Sequence, residues 1–275
     1  MRAPATMNSP DATARRAPIV PFLLGFTVLY AVLAVLAELD ASGRYGIGIL
    51  AAVLLAAVVV EGLLDRTGPT STLRRLGLGR PDGRAVLIAL GLAFLIQGVY
   101  PLVSLMTGAN FTLKSGWPWL LLGIFAFHGL AEELVWRGYA FSRLRRGRSF
   151  GAAVAATMPL LAATHLPVIL TSGLTVGVAA MLVAAITTLP LAHLFELGRN
   201  TLWAPAVLHT AIDSFKLVTI PADARQVFSL TLATVSLTIP LLALVGRSRR
   251  RTPVAALPGG PRVPGRLQRR ATSAR

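Results

Sequence analysis

Eight long apolar segments dominate this sequence and limit what it can fold into. In each of them apolar residues follow one another without the strict alternation of a half-buried strand. Most approach or exceed the ~20 residues that an α-helix needs to cross ~30 Å of hydrocarbon. They comprise residues 18–37, 46–64, 85–106, 117–142, 150–170, 173–197, 202–215 and 227–245. The pattern predicts an all-α fold, a polytopic transmembrane helical bundle with about eight spans, of which the short and polar seventh is the least regular.

Composition agrees with a membrane protein and removes several other classes. Hydrophobic residues make up 54% of the 275 residues and charged residues only 14%, whereas about a quarter of a soluble domain is charged. There is no cysteine, which excludes disulfides, thiolate metal sites and a cysteine nucleophile. The sequence also lacks a glycine-rich phosphate loop and the HExxH zincin motif.

The net charge of +16 follows a membrane topology rather than one face of a folded domain. Arginines concentrate at both ends and in alternate loops, as the positive-inside rule predicts for cytoplasmic segments. The loops on the opposite side hold only Arg44, Lys114, Lys216 and Arg225. We therefore expect both termini to be cytoplasmic, the arginines to contact anionic membrane lipids, and no nucleic acid to be a partner.

The same pattern divides the chain into three parts. Residues 1–17 are expected to form a basic cytoplasmic N-terminus and residues 18–245 the transmembrane bundle. Residues 246–275 are expected to be a disordered Arg/Pro-rich cytoplasmic tail. Lysine is scarce while arginine and alanine are abundant, which indicates a GC-rich bacterial genome and hence a bacterial cell membrane.

Ionisable residues inside the apolar segments cluster in the fourth to seventh of them. Each such group costs roughly 2.5–3.5 kcal/mol on insertion scales, so it marks function by default. The set comprises His128, Glu132, Glu133, Arg137, His165, His193, Glu196, His209 and Asp213. All four histidines of the protein belong to it. His193 and Glu196 lie three residues apart near the cytoplasm, where we favour a surface pair.

Two adjacent glutamates in the fourth segment are expected to play different roles. Glu133 and Arg137 are four residues apart, so they share a helix face and should form an ion pair that supports the fold. Glu132 is rotated by about 100° from Glu133 and lacks that partner. It shares a face with His128, one turn earlier. Glu132 is therefore the candidate general base.

Two further segments supply imidazoles and a carboxylate. The spacing of His209 and Asp213 lets the carboxylate accept from one imidazole nitrogen and aim the other into a cavity. His165, taken alone, could serve either the active site or an ordinary hydrogen bond across the bundle. Glu132, His165 and His209 can bind a catalytic divalent metal such as zinc with an open water position. Alternatively, Glu132 activates water while the histidines stabilise the oxyanion, and the residues leave both chemistries open.

The fourth segment resembles the CAAX protease and bacteriocin-processing family of intramembrane proteases. Its most specific element is EELVWRG, which is similar to the family's EExxxR pattern at Glu132, Glu133 and Arg137. The resemblance extends over most of the chain, with a core at about residues 84–216.

Two further motifs carry the same resemblance. His165 is similar to the histidine of the family's second motif, with Leu161 where the family usually has an aromatic residue. His209 and Asp213 match the third motif, a histidine followed four residues later by Asn or Asp. The resemblance implies that the first glutamate and the motif histidines are catalytic, and it leaves the need for a metal undetermined.

Together these features predict an intramembrane endopeptidase that hydrolyses peptide bonds of a membrane-associated or peptide substrate. Glu132 would be the base, His165 and His209 metal ligands or oxyanion stabilisers, and Asp213 the residue that orients His209. One alternative is a non-catalytic bacteriocin-immunity or scaffold protein that keeps the motifs but binds a partner. Another is a proton-coupled transporter with a Glu/His relay, although inverted repeats are not evident.

Overall fold

The computed structural model describes residues 18–40 and 42–245, and this part of the chain is almost entirely helical. The α-helices are α1 (Ile19–Leu39), α2 (Gly46–Asp65), α3 (Pro69–Arg75), α4 (Gly83–Gln97), α5 (Val99–Thr107), α6 (Trp117–Ile124), α7 (Ser142–Arg145), α8 (Phe150–Ala163), α9 (Leu166–Ser172), α10 (Leu174–Leu197), α11 (Trp203–Ile212) and α12 (Arg225–Thr238). The expectations for residues 1–17 and 246–275 lie outside the described residues.

Three kinds of shorter structure connect these helices. Two π-helical segments, Phe125–Ala131 and Leu134–Phe141, join α6 to α7. Two 3₁₀ segments, Asp213–Leu217 and Ile239–Leu244, extend α11 and α12. A two-stranded antiparallel ribbon forms from β1 (Thr112–Leu113) and β2 (Val218–Thr219).

Within the described residues, seven helical stretches are long and apolar enough to cross a membrane. They are Ile19–Leu39, Gly46–Asp65, Gly83–Thr107, Trp117–Arg145, Phe150–Thr171, Leu174–Leu197 and Arg225–Leu244. Each coincides with a predicted apolar segment to within a few residues at either end. The chain is thus a multi-pass membrane protein with a helical bundle, as its apolar pattern predicted.

The remaining predicted segment also crosses the bundle, although it is shorter than the other seven. At one end, Leu202 N donates over 2.9 Å to the carbonyl oxygen of Gly77, in the loop that leads from α3 to α4. At the other end, β2 pairs with β1, which follows α5. Ten α-helical and five 3₁₀ residues cover roughly 25 Å, since the rise is 1.5 Å and 2.0 Å per residue. This pass brings α11 and its 3₁₀ extension through the bundle interior.

The stretch from Trp117 to Arg145 is the central helix of the bundle. Of its most apolar window, 67% is buried inside the protein, against 17–33% for the other six stretches. Phe127, Leu134, Tyr139 and Phe141 are among its fully buried side chains. The central helix is therefore surrounded by protein, while the outer helices leave many apolar side chains to face lipid.

Gly123 in α6 allows α2 and its preceding loop to approach the central helix. A Cβ atom on Gly123 would lie 1.7 Å from the carbonyl oxygen of Gly43, and one on Gly46 would lie 2.0 Å from the carbonyl oxygen of Gly123. Close backbone contacts between small residues are a usual way to pack membrane helices.

We expect Gly123→Ala to lower the free energy of unfolding by about 1–3 kcal/mol, because the added methyl forces the two backbones apart. The matched control is Gly91→Ala in α4, where a Cβ meets nothing within 4 Å. Thermal unfolding of the purified variants in detergent measures the difference. Equal melting temperatures for Gly123→Ala and wild type would contradict the importance of this contact.

Candidate active site

Glu132 and Glu133 lie in the central helix between its two π-helical segments, Phe125–Ala131 and Leu134–Phe141. π-Helical turns are rare and occur frequently at functional sites. Here they widen the helix on both sides of the paired carboxylates.

Gly129 brings α11 against the central helix. A Cβ at this position would lie 2.6 Å from Thr210 Oγ1 and 3.0 Å from the carbonyl oxygen of Ala206. Because Gly129 has no side chain, α11 packs closely enough for His209 to reach the glutamates.

Glu133 accepts two hydrogen bonds at one carboxylate oxygen. Arg137 Nη1 donates to Glu133 Oε1 over 2.8 Å, and His209 Nδ1 donates to the same oxygen over 2.7 Å. Glu133 is 0% exposed and Arg137 1%. The expected ion pair is present, and Glu133 also holds His209, a contact that the sequence did not reveal.

The other nitrogen of His209 faces two more carboxylates. His209 Nε2 lies 3.4 Å from Asp213 Oδ2 and 3.7 Å from Glu132 Oε2. Asp213 is thus next to His209, as its spacing predicts, but the shortest bond to the ring comes from Glu133 at Nδ1. His209 therefore lies among three carboxylates.

Glu132 has an imidazole nitrogen against each of its oxygens. Glu132 Oε1 is 2.6 Å from His128 Nδ1, and Glu132 Oε2 faces His209 Nε2. The Glu132 side chain keeps 23% exposure, whereas Glu133 keeps none. Of the two glutamates, Glu132 is therefore the one that water can reach.

His165 occupies the break between α8 and α9. His165 Nδ1 donates to the carbonyl oxygen of Leu161 over 3.0 Å, which leaves Nε2 for other partners. His165 lines the same cavity as Glu132 and His209. In the part of the chain that the structure describes, however, it has no hydrogen bond or ion pair with either of them.

The described side chains are not arranged as the ligands of one metal ion. Within residues 18–40 and 42–245, no group of three His, Cys, Asp or Glu side chains is arranged to hold a metal ion. Glu132, His165 and His209 share a cavity wall without converging on one point, so the residues present do not fit zinc and we derive no step through it.

A cavity of about 680 Å³ opens beside these residues. Its polar groups are Glu132, Arg137, His165, Thr175, Thr187, His209, Asp213, Lys216, Ser229 and Ser236. The rest of its wall is apolar and comes largely from α10 and α12. The cavity can therefore hold an apolar chain segment with one end at the carboxylates and imidazoles.

Lys216 is the site residue that sequence reasoning missed. The charge pattern assigned it to a loop, but it lies in the 3₁₀ extension of α11 with its Nζ 2.6 Å from His128 Nε2 and 3.2 Å from Asp213 Oδ1. A signal was available, because His209, Asp213 and Lys216 follow the i, i+4, i+7 spacing of one helix face.

Other ionisable groups in the bundle form ion pairs away from this cavity. Arg145 Nε lies 2.6 Å from Glu196, so this glutamate pairs with a residue of α7, while its pairing with His193 stays a prediction. Arg143 lies 2.5 Å from Glu61 and joins α2 to the end of the central helix. None of these five residues lines the cavity.

Comparison with protein families supports the motifs. The family model described as Type II CAAX prenyl endopeptidase Rce1-like matches residues 114–215. The matched stretch contains Glu132, His165, His209 and Asp213 and ends one residue before Lys216. Neither the curated proteins nor the solved structures gave a match to this chain.

Proposed function

Because residues 114–215 carry an Rce1-like domain, we propose that this membrane protein is an intramembrane endopeptidase that uses a water activated by Glu132. The observation that carries the proposal is the position of Glu132. Its carboxylate lines a cavity of about 680 Å³, bonds to His128 Nδ1 at one oxygen over 2.6 Å and has His209 Nε2 at 3.7 Å from the other oxygen. Such a carboxylate can take a proton from water that enters the cavity.

The proposed reaction needs only water as co-reactant. Glu132 Oε2 takes a proton from the water while the water oxygen bonds to the carbonyl carbon of the substrate. The tetrahedral intermediate then collapses, the C–N bond breaks, and the leaving nitrogen takes the proton from Glu132. Proton transfer of this kind by a positioned side chain contributes roughly 10²–10⁴-fold to the rate.

The histidines stabilise the negative charge that develops on the carbonyl oxygen. His209, held at Nδ1 by Glu133, offers an Nε2–H that points towards Glu132 and Asp213. A donor fixed in advance stabilises an oxyanion without reorganising during the reaction. We assign His165 the second donor position on the cavity wall, and Asp213 the role of balancing the imidazolium of His209.

The substrate is a membrane-associated chain or a peptide with an apolar stretch, because most of the cavity wall is apolar. We further propose that the protein lies in a bacterial cell membrane with both termini on the cytoplasmic side. The arginines of its cytoplasmic loops would contact anionic lipid headgroups.

The activity is tested by incubating the purified protein in detergent with a diverse peptide library in H₂¹⁸O. We expect new peptide termini by mass spectrometry, with one ¹⁸O atom in each new carboxylate, because hydrolysis adds the water oxygen to the carbonyl carbon. If a well-folded wild type cuts no peptide in the library or in a set of membrane-segment peptides, the immunity or scaffold interpretation replaces the protease.

We expect cutting to persist in the presence of a strong chelator, because the described donors do not converge on a metal. The measurement compares rates before and after dialysis against the chelator, with a zinc peptidase as positive control. Loss of cutting by dialysis and its recovery on adding Zn²⁺ would establish instead the metal-dependent form of the site.

A further inference from the structure

We infer that Lys216 is a positioning residue for Glu132 and that it acts through the imidazole of His128, an inference that rests on the proposed protease function. The three side chains form a continuous chain of contacts. Lys216 Nζ lies 2.6 Å from His128 Nε2, and His128 Nδ1 lies 2.6 Å from Glu132 Oε1.

The direction of the hydrogen bonds follows from the chemistry of the ammonium group. An ammonium has three N–H donors and no acceptor, so His128 Nε2 must accept from Lys216. The ring proton of a neutral imidazole then lies on Nδ1, which donates to Glu132 Oε1. The bond at one ring nitrogen thus sets the role of the other.

Fixing the tautomer of His128 also fixes the orientation of the catalytic carboxylate. With Glu132 Oε1 held by His128, Glu132 Oε2 is the oxygen that faces His209 and the cavity. Without Lys216, a proton on His128 Nε2 would leave Nδ1 as an acceptor facing the carboxylate. Two acceptors 2.6 Å apart repel each other, so Glu132 would rotate away from its working position.

Lys216 also reaches the second half of the site. Its Nζ lies 3.2 Å from Asp213 Oδ1, and Asp213 Oδ2 lies 3.4 Å from His209 Nε2. The Asp213 carboxylate attracts the ammonium of Lys216 and helps to hold it in this position. The Lys216 ammonium therefore contacts both His128, which holds Glu132, and Asp213, which faces His209.

The position of the ammonium argues against the ordinary role of a lysine at the end of a membrane helix. Such lysines extend their charged group towards the headgroups and water. Lys216 instead turns back into the bundle, where its side chain is 21% exposed, to meet a His128 side chain that is 8% exposed. His128 is held in place by stacking on Phe127, with ring centroids 4.0 Å apart.

The first test reads the tautomer and does not depend on proteolysis. The full-length protein is labelled with ¹⁵N-histidine and studied by NMR in detergent micelles, with the His128 signals identified by their absence from His128→Asn. We expect a proton-bearing Nδ1 and a bare Nε2 in wild type, and the opposite tautomer or a mixture in Lys216→Met. An unchanged Nδ1–H tautomer in Lys216→Met would overturn the inference.

The second test measures the effect on catalysis with a peptide that wild type cuts. Lys216→Met should lower kcat roughly ten- to hundredfold, as loss of an outer partner of an active-site residue commonly does, with little change in KM. Lys216→Arg, which keeps a donor, should recover a substantial part, and the exposed Lys114→Met is the control with wild-type rates. Equal kcat values for wild type and folded Lys216→Met would overturn the positioning role, whereas a wild type that cuts nothing would refute the protease and leave the tautomer result to decide this inference.

Discussion

Replacing Glu132 by glutamine is expected to lower kcat by roughly 10²–10⁴-fold, because an amide cannot take a proton from water. The substitution keeps the shape of the side chain, and its amide oxygen can still accept from His128 Nδ1, which lies 2.6 Å from Glu132 Oε1. The fold should therefore survive. The measurement is the initial rate of peptide cutting, together with the melting temperature of each protein in detergent.

The matched control for this variant is Glu38→Gln, which removes an exposed carboxylate at the end of α1. Its rate and stability should equal those of wild type. Retained cutting by a folded Glu132→Gln would show that another group is the base. If wild type and Glu132→Gln instead confer the same cellular phenotype without any cutting, the non-catalytic interpretation is the better one.

The spans could be predicted because a physical length determines them. A helix must remain apolar over the thickness of the bilayer, so the ends of the long stretches follow from the sequence to within a few residues. The local pairs could be predicted for a similar reason. Residues four apart on a helix meet whatever surrounds it, which is why His128–Glu132 and Glu133–Arg137 appear at the expected places.

Contacts between distant segments could not be predicted in this way. The bond from His209 to Glu133 depends on how closely α11 packs on the central helix at Gly129. The sequence does not show that these two segments are neighbours. The depth of Lys216 depends on the 3₁₀ extension of α11, which moves a residue from the apparent loop into the site. A charge next to an apolar segment looks the same in sequence whether it faces water or turns inward.

The charged side chains of the site also stabilise one another by pairing. Three carboxylates, Glu132, Glu133 and Asp213, face His209. Arg137 pairs with Glu133 and Lys216 with Asp213. Charges in low dielectric are tolerated only when they are paired and hydrogen-bonded. Removal of a fully buried charge of this group is therefore expected to affect both stability and catalysis.

The largest effect on stability is expected for Arg137→Met. This variant removes the guanidinium from the fully buried Glu133, and breaking a buried ion pair by removing one partner commonly costs about 3–5 kcal/mol. The control is Arg145→Met, whose pair with Glu196 is partly exposed and should contribute about 0–1 kcal/mol. The midpoint of unfolding in mixed micelles with rising SDS fraction measures both.

The double variant Arg137→Met with Glu133→Leu separates the two roles of Glu133. Removing both charges should recover much of the stability, since replacing a buried pair by apolar residues is often neutral or stabilising. It should not recover proteolysis, because His209 Nδ1 loses the oxygen that lies 2.7 Å away and holds the ring. A double variant that is stable and cuts at the wild-type rate would show that Glu133 serves the ion pair alone. A single Arg137→Met variant as stable as wild type would show that the pair itself contributes little to the fold.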